Sequence, residues 1–248
     1  MLSIVIITHD RVEHLRRLLL SLTDSLLKFE YQYEVVVLDN ASTETLNQAE
    51  VKEIQENFSF RLIRHPINIG FARNYLYAFR EARGEWCWVV GDDDLYDFDH
   101  ILESYVQALS CTANTAAHLP ISLIHLNQSH FVDDNGSILA LKSKVHALDV
   151  SGPLDSDVFL DIVSDTIGGL LYVSSNIFRV STISNLLNED YLVSYASSCV
   201  CLATPLLALG KGQVYVVSEP FISNRLQGTW SMNSSPEQVF RLELPCAI

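Results

Sequence analysis

Residues 86–94 read Trp-Cys-Trp-Val-Val-Gly-Asp-Asp-Asp, an apolar run that ends in three consecutive carboxylates. An apolar run of this kind is typical of a strand buried on both faces of a parallel sheet. Two unit charges about 6 Å apart repel by roughly 3 kcal/mol at an effective dielectric of 20, so adjacent carboxylates need a counter-charge or water. The run therefore predicts either a site for a hard divalent cation or a solvated loop that caps the next helix, near Phe98.

Strand-like and helix-like segments alternate along the chain before this run. Segments rich in apolar and β-branched residues, typical of strands, cover residues 2–7, 33–38 and 60–63. Apolar residues recur at helical spacing in residues 12–22, 43–58 and 71–82. This alternation predicts an α/β fold, a doubly wound and mainly parallel sheet with right-handed crossovers. We expect one domain over residues 1–248, with a regular half at 1–112 and a less regular half at 113–248.

Polar clusters follow three of the predicted strands, at residues 8–11, 39–42 and 91–94. In an open parallel sheet, ligands bind beyond the carboxyl ends of the strands. The three clusters are therefore expected to line one crevice, although they are far apart in the sequence. Each cluster alone has a simpler interpretation as a helix cap, since Asn, Ser, Thr and Asp are the usual capping residues.

Arg73 lies in the first turn of the predicted helix at 71–82, shortly after Gly70. Backbone N–H groups at a helix N-terminus and a guanidinium group together suit a phosphate. The alternative is an ordinary surface charge.

The composition limits the classes of partner. The chain has 248 residues, 48% of them hydrophobic, which suffices for a folded core. The formal net charge is −14 and the sequence pI is about 4.8, so the chain repels phosphate at long range and is a poor candidate for general nucleic-acid binding. A small anionic ligand would need a local cation, a metal ion or a helix N-terminus.

The cysteines and the apolar segments indicate the cellular compartment. The five cysteines form no C-x-x-C pair and lie mostly among apolar residues, which is typical of reduced thiols in a cytoplasmic protein. The first residues lack the basic leader of a signal peptide, and residues 199–209 are too few to span a bilayer. We expect a cytoplasmic protein whose contact with a membrane, at its inner face, is peripheral.

Four ordered landmarks give the first half a family resemblance. Residues 8–11 read Thr-His-Asp-Arg, residues 37–44 read Val-Leu-Asp-Asn-Ala-Ser-Thr-Glu, residues 68–74 read Asn-Ile-Gly-Phe-Ala-Arg-Asn, and Gly-Glu-Trp precedes the acidic run. Together they resemble the inverting GT-A glycosyltransferases of family 2, over roughly residues 2–110. The resemblance implies a GT-A fold, a nucleotide-diphospho-sugar donor held by residues 1–112, and an acceptor held by residues 113–248.

The resemblance also implies a role for individual residues. Those expected around the nucleotide base, ribose and phosphates are Thr8, His9, Asp39, Asn40, Arg73 and Asp92. Asp93 matches the metal-binding aspartate, with Asp94 beside it, and the expected cofactor is Mg²⁺ or Mn²⁺. Gly91 stands where the family's first acidic residue would be, so fewer side chains than usual would hold the metal. Asn40 replaces an aspartate often used to read uracil, which leaves the base of the donor open.

The mechanism implied is a single displacement with inversion, in which a carboxylate deprotonates the acceptor hydroxyl. The family usually places this base in a Glu-Asp pair at the start of a late helix, but the helix predicted at 198–209 starts without a carboxylate. The nearest acidic pair, Glu189 and Asp190, is the candidate base, and His118 and Asp165 are alternatives. Many members of the family build surface polysaccharides, which implies a carbohydrate or lipid-linked acceptor.

Two other functions remain open from the sequence. A nucleotidyltransferase has a related sheet, but it normally carries a Gly-rich basic loop after the first strand, which residues 8–11 lack. A non-catalytic module that binds a nucleotide sugar would fit the missing late Glu-Asp pair.

Overall fold

The computed structural model describes residues 1–113, 119–134, 137–142, 144–184 and 200–225. The chain divides into two compact units, residues 1–93 and residues 94–248, and each is described by itself. The expected division at residue 112 stays a prediction.

The first unit is built on a parallel sheet. Its strands are β1 (Leu2–Thr8), β2 (Tyr33–Asp39), β3 (Phe60–Arg64) and β4 (Trp86–Gly91), in the order β3-β2-β1-β4. All three pairings are parallel, as the alternation of segments predicted. The central strand β1 is buried along its whole length. The register sets Thr8 opposite Asp39 and Ile7 opposite Gly91, so the carboxyl ends of β1, β2 and β4 are level.

Three helices connect these strands, α1 (Val12–Lys28), α2 (Gln48–Gln55) and α3 (Phe71–Glu81). The amphipathic pattern of α1 buries Leu15, Leu18, Leu19 and Leu22. Helix α2 begins at Gln48, whereas the spacing of apolar residues predicted a start at residue 43. Asn47 forms a capping box with Glu50, and this cap marks the true start of the helix.

The turn into β4 depends on a glycine. A Cβ atom on Gly84 would lie 2.7 Å from the backbone oxygen of Met1 and 2.9 Å from the backbone nitrogen of Ser3. The Gly84 N–H also donates to Ser3 Oγ over 2.8 Å. The Gly-Glu-Trp landmark is therefore explained by the close approach of this turn to the start of β1.

The second unit has a mixed sheet. Its strands are β5 (Leu95–Tyr96), β6 (Ile121–Asp134), β7 (Ser137–Lys142), β8 (Gly152–Leu154), β9 (Asn176–Arg179) and β10 (Gln213–Arg225). The order is β9-β6-β10-β5, with β7 on β6 and β8 on β10. Among the pairings described within this unit, only β6–β10 is parallel, and its register shifts twice. This irregularity agrees with the less regular pattern of the second half.

The helices of the second unit are α4 (Phe98–Ala113), α5 (Ser156–Val163), α6 (Val180–Ile183) and α7 (Val200–Leu209), with 3₁₀ turns at Ser164–Leu171 and Val173–Ser175. Within the described part of the chain, no helix is both long enough and apolar enough to cross a bilayer. Cys87 and Cys201 are buried, and Cys111 is partly exposed.

Candidate functional site

The ends of β1 and β4 are joined by a buried hydrogen bond. Thr8 Oγ1 donates to Asp92 Oδ2 over 2.6 Å, and Asp92 is only 5% exposed. The two residues meet because β1 and β4 are adjacent parallel strands that end at the same edge. Within the first unit, residues 8–11 therefore meet residues 92 and 93, as the sequence pattern predicted.

Arg11 supplies positive charge to the same carboxylates. Its Nη1 lies 3.1 Å from Asp92 Oδ1 and 2.6 Å from Asp93 Oδ2. Burial raises the pKa of Asp92 to about 6, although the Thr8 hydrogen bond and the Arg11 charge act in the opposite direction. The neighbouring Asp93 carboxylate raises the pKa of Asp92 further. Asp92 is thus a carboxyl whose charge depends on the cations around it.

Asp39 presents a buried carboxylate oxygen at the end of β2. One oxygen, Oδ1, accepts a 2.9 Å hydrogen bond from the Ser42 N–H. The other oxygen, Oδ2, lies 3.4 Å from Arg64 Nε and has no hydrogen-bond partner among the described residues. Asp39 is 1% exposed, so this oxygen is an acceptor removed from bulk water. Arg64 also donates to the Ser42 carbonyl, which ties the guanidinium to this turn.

Asn40 belongs to a chain of amide hydrogen bonds. Its Oδ1 accepts from the Ile69 N–H over 2.9 Å, and its Nδ2 donates to Asn68 Oδ1 over 2.9 Å. Asn68 Oδ1 also accepts from the Gly70 N–H, so its Nδ2 is the atom 2.9 Å from His9 Nε2. This arrangement makes His9 Nε2 the acceptor. The Asn40 side chain therefore orders residues 68–70 and the exposed His9 ring.

Helix α3 begins at Phe71, directly after residues 68–70 of this network. Gly70 has φ of 83° at the N-cap position, no side chain caps the helix, and its first turn holds no acidic residue. A Cβ atom on Gly70 would meet nothing within 4 Å, so the space beside it is open. Arg73 is exposed and makes no ion pair with the described residues. The expected phosphate role of this helix end stays a prediction.

Both carboxylate oxygens of Asp94 accept hydrogen bonds within the second unit. Its Oδ2 accepts from Asn224 Nδ2 over 3.0 Å, and its Oδ1 accepts from the Arg225 N–H over 3.1 Å. Both partners lie at the end of β10. The structure thus gives Asp94 a role in holding β10, and its expected role as a second metal ligand stays a prediction.

The candidate base is not among the residues that the structure describes. Glu189, Asp190 and His118 all lie outside the described ranges. Asp165 is described and is exposed in the 3₁₀ turn Ser164–Leu171. The first turn of α7 contains no acidic residue, as the sequence indicated.

Three site residues had no role in the sequence analysis, namely Arg11, Arg64 and Asn68. Arg11 and Asn68 stand inside two of the landmarks, so the motifs contained a signal for them. Nothing in the sequence pattern showed that Arg64 would reach Asp39, because its position on β3 becomes relevant only once the strand order is known.

The carboxylates suit a hard cation in their chemistry. No group of three or more His, Cys, Asp or Glu side chains that could hold a metal occurs within the described ranges. Mg²⁺ is commonly held by only one or two carboxylates, together with phosphate oxygens and water. Asp93 is part-buried beside Asp92, so an adjacent pair of carboxylates fits such an ion.

The α/β fold is that of the GT-A glycosyltransferases. Staphylococcus aureus TarS matches with a TM-score of 0.63 and 17% identity, over 90% of this chain and 60% of that one. TarS in complex with UDP-GlcNAc matches with a TM-score of 0.65 and 15% identity, over 94% and 61%. The mannosyltransferase PcManGT from Pyrobaculum calidifontis, in complex with GDP-Man and Mn²⁺, matches with a TM-score of 0.55 and 13% identity, over 92% and 58%. At these identities the likeness shows the fold alone.

The sequence comparisons cover the first part of the chain. Residues 3–117 match the model of the family described as Glycosyl transferase family 2. The abequosyltransferase RfbV of Salmonella typhimurium is 33% identical over 112 residues, which are 44% of this chain and 33% of the relative. The chain thus spans about a third of the length of this curated relative.

Proposed function

We propose that this protein is a glycosyltransferase that moves a sugar from a nucleoside diphosphate donor to an acceptor hydroxyl. The observation that carries the proposal is the cluster of Thr8, Asp39, Asp92 and Asp93, with Arg11, at the carboxyl edge of the first unit's sheet. This is where ligands bind in open α/β sheets. TarS with UDP-GlcNAc and PcManGT with GDP-Man support a nucleotide-sugar donor for this fold.

The polar atoms suggest how the donor lies. Asp39 Oδ2 lacks a hydrogen-bond partner among the described residues and would accept a hydrogen bond from the base or ribose. The exposed His9 ring would also lie near the base or ribose. Asp92 would approach the ribose. The α3 N-terminus and Arg73 would take phosphate oxygens, since both present positive charge. Asn40 acts indirectly in this arrangement, because both ends of its amide are already hydrogen-bonded to residues 68 and 69.

A divalent cation, Mg²⁺ or Mn²⁺, would be held by Asp93, with Asp94 as the second candidate. Such a cation supplies positive charge that stabilises the diphosphate as it leaves. The protein's own side chains would hold the donor in place. Arg11 and Arg73 carry further positive charge for the phosphates, and the Thr8 hydrogen bond holds Asp92 in one rotamer.

The reaction would be a single displacement with inversion. The acceptor oxygen attacks the anomeric carbon, the bond from that carbon to the diphosphate oxygen breaks, and the acceptor proton passes to a carboxylate. Glu189 and Asp190 are the candidates for this base. The similarity to an abequosyltransferase supports the transfer of a sugar. The acceptor that we propose is a carbohydrate or lipid-linked sugar, in surface polysaccharide synthesis at the inner face of the membrane.

Calorimetric titration of nucleoside diphosphates, with and without Mn²⁺, tests the donor and metal parts. We expect Mn²⁺-dependent binding of one of UDP or GDP, lost in Asp93→Asn. Asp24→Asn is a matched control, since Asp24 is exposed on α1 and the charge change is the same. Binding that ignores Mn²⁺, or no binding of any nucleotide, would refute the proposal.

A non-catalytic nucleotide-sugar-binding module is the second candidate, favoured by the absence of an acidic residue in the first turn of α7. Donor turnover separates the two candidates. If the protein is a transferase that uses the predicted base, Glu189→Gln or Asp190→Asn keeps donor binding and abolishes sugar transfer or donor hydrolysis. A wild-type protein that binds a nucleotide sugar and never consumes it, with any acceptor tried, would favour the binding module.

A further inference from the structure

Arg11 neutralises the carboxylate that is proposed to hold the metal. Its Nη1 is 2.6 Å from Asp93 Oδ2 and 3.1 Å from Asp92 Oδ1, so a single N–H-bearing nitrogen is shared by both carboxylates. The side chains of Asp92 and Asp93 are 3% and 19% exposed, and that of Arg11 is 38% exposed. The guanidinium is therefore the counter-charge of a largely buried acidic pair.

A metal ion and this guanidinium cannot share Asp93 Oδ2 without strong repulsion. Mg²⁺ binds carboxylate oxygen at about 2.1 Å, so the ion and Nη1 would both lie within hydrogen-bonding range of one oxygen. The two cations would then be less than about 5 Å apart in a partly buried site, where screening by water is weak. Both cations neutralise the Asp93 carboxylate, so the binding of one to Asp93 weakens the binding of the other.

We propose that Arg11 keeps the metal off Asp93 until the diphosphate of the donor draws the guanidinium away. The inference rests on the proposed function. It implies that the metal alone binds weakly, and that the diphosphate and the metal each strengthen the binding of the other. Arg11 is then a positioning residue for the donor. Its guanidinium group passes from the Asp93 carboxylate to a phosphate when the donor binds.

Three features of the site support this exchange. Arg11 is partly exposed, so its side chain can reach a ligand in the crevice. Arginine binds phosphate through two parallel N–H bonds, which compensate for the lost carboxylate contacts. Asp92 keeps its hydrogen bond from Thr8 when Arg11 leaves, so the movement frees Asp93 without leaving Asp92 wholly unpartnered.

The experiment measures Mn²⁺ binding by calorimetry and by the electron paramagnetic resonance signal of free Mn²⁺, with and without saturating UDP or GDP. In Arg11→Gln we expect Mn²⁺ alone to bind about tenfold more tightly, about 1.4 kcal/mol. We also expect the nucleotide alone to bind more weakly, and the factor by which nucleotide strengthens Mn²⁺ binding to shrink. Linkage requires the nucleotide to show the same reduced coupling to Mn²⁺.

Arg17→Gln is the matched control, because Arg17 is exposed on α1, makes no ion pair with the described residues and gives the same change in net charge. It should leave every constant within about twofold of wild type. Arg11→Lys retains the charge and should stay close to wild type in Mn²⁺ affinity. Arg11→Met removes the charge and should bind Mn²⁺ as tightly as Arg11→Gln, which protects the test if Arg11→Gln folds poorly.

The outcomes separate two failures. If wild type binds the nucleotide and Mn²⁺ but neither Arg11→Gln nor Arg11→Met differs from Arg17→Gln in Mn²⁺ affinity, the exchange is wrong and the proposed function stands. If wild type binds neither ligand, the proposed function is wrong and the exchange falls with it.

Discussion

Thr8 and Asp92, 84 residues apart in the chain, share a buried hydrogen bond of 2.6 Å between Thr8 Oγ1 and Asp92 Oδ2. The bond links the ends of two adjacent parallel strands, and it holds a carboxyl whose pKa burial raises to about 6. Because the folded pKa is above the unfolded value, the ionised form opposes folding. This contribution to stability is greatest below pH 4 and falls as the pH rises through 6.

Thr8→Val removes the donor and preserves the shape of the side chain. We expect the pKa of Asp92 to rise further and the free energy of unfolding to fall by about 1 to 2 kcal/mol at pH 7.5, with a smaller loss at pH 4.5. Urea denaturation at the two pH values measures this. Thr45→Val, at a position without a hydrogen bond to the described residues, is the control. An equal loss at both pH values would show that the hydroxyl does not act on the Asp92 carboxylate.

A second prediction concerns two buried histidines in the second unit. His125 Nδ1 lies 3.0 Å from Asn176 Oδ1, and His146 Nδ1 lies 2.7 Å from Thr166 Oγ1. Both Nε2 atoms are buried without a hydrogen-bond partner among the described residues. Burial lowers the pKa of His125 to about 3 and that of His146 to about 4, and the nearby His146 lowers that of His125 further.

These histidines are neutral in the folded protein, and the unfolded chain binds their protons near pH 6.5. Stability from them is complete above pH 6.5 and is lost as the pH falls toward 4, by about 1.4 kcal/mol per pH unit for each histidine. Urea denaturation between pH 4.5 and 7.5 gives the free energy of unfolding as a function of pH. In His125→Gln the slope of this function should be smaller than in wild type by the contribution of one proton. His100→Gln, which removes an exposed histidine on α4, is the matched control. A wild-type slope in His125→Gln would contradict the assignment.

Gly84 gives a third prediction. A Cβ at this position would lie 2.7 Å from one backbone oxygen and 2.9 Å from a backbone nitrogen, so β1 or the turn must shift. We expect Gly84→Ala to lower the free energy of unfolding by about 2 kcal/mol, in the range seen for overpacked sites. Thermal unfolding measures the change. Gly168→Ala is the control, because a Cβ there meets nothing within 4 Å. Equal melting temperatures for the two variants would mean that the turn adjusts freely.

The first unit was largely predictable because its strands are central in a parallel sheet. Both faces of these strands are covered, so consecutive residues such as Val89 and Val90 are both fully buried. The strands therefore appear in the sequence as continuous apolar runs. The carboxyl ends of such strands share one edge, which is why Thr8, Asp39 and Asp92 could be placed together before their contacts were known. The partners of Arg11 were not predictable, because they depend on a rotamer and on distances between separate loops.

The second unit was less predictable because polar residues continue its strands. The apolar part of β6 ends at residue 126, but the strand continues to Asp134. Asn127 is 0% exposed, and its Nδ2 donates to the carbonyls of His146 and Ser218. Gln128 is equally buried, and its Nε2 donates to the carbonyl of Gly169. Partners far along the chain satisfy these amides, and a pattern based on hydrophobicity cannot show that.

The start of α2 illustrates the same limit on a smaller scale. The Ser42 N–H is taken by Asp39 Oδ1, and the Thr43 N–H by Asp10 Oδ1. Because side chains bind these two groups, the backbone at residues 42–43 forms a turn rather than the first turn of a helix. The apolar spacing alone extended the helix into this turn.

Asn40 provides the last prediction, since the family that the sequence resembles often has an aspartate at this position. In this chain the Asn40 amide must donate to Asn68 Oδ1 and accept from the Ile69 N–H. Asn68 cannot turn over its own amide to help, because its Oδ1 also accepts from the Gly70 N–H. The Asn40–Asn68 pair is therefore matched, and Asn40→Asp sets two acceptor oxygens against each other at a site that is 4% exposed.

We expect Asn40→Asp to lower the free energy of unfolding by about 1 to 3 kcal/mol at pH 7, the usual effect of an unsatisfied buried polar group. The loss should shrink as the pH falls toward 4, because a protonated carboxyl can again donate to Asn68. Urea denaturation against pH measures both effects. Asn47→Asp is the matched control: Asn47 caps α2 by accepting from Ala49 and Glu50, and aspartate caps helices equally well. If the two variants are equally stable at pH 7, Asn40 does not need its amide hydrogens, and this site would accept the family's aspartate without a change at Asn68.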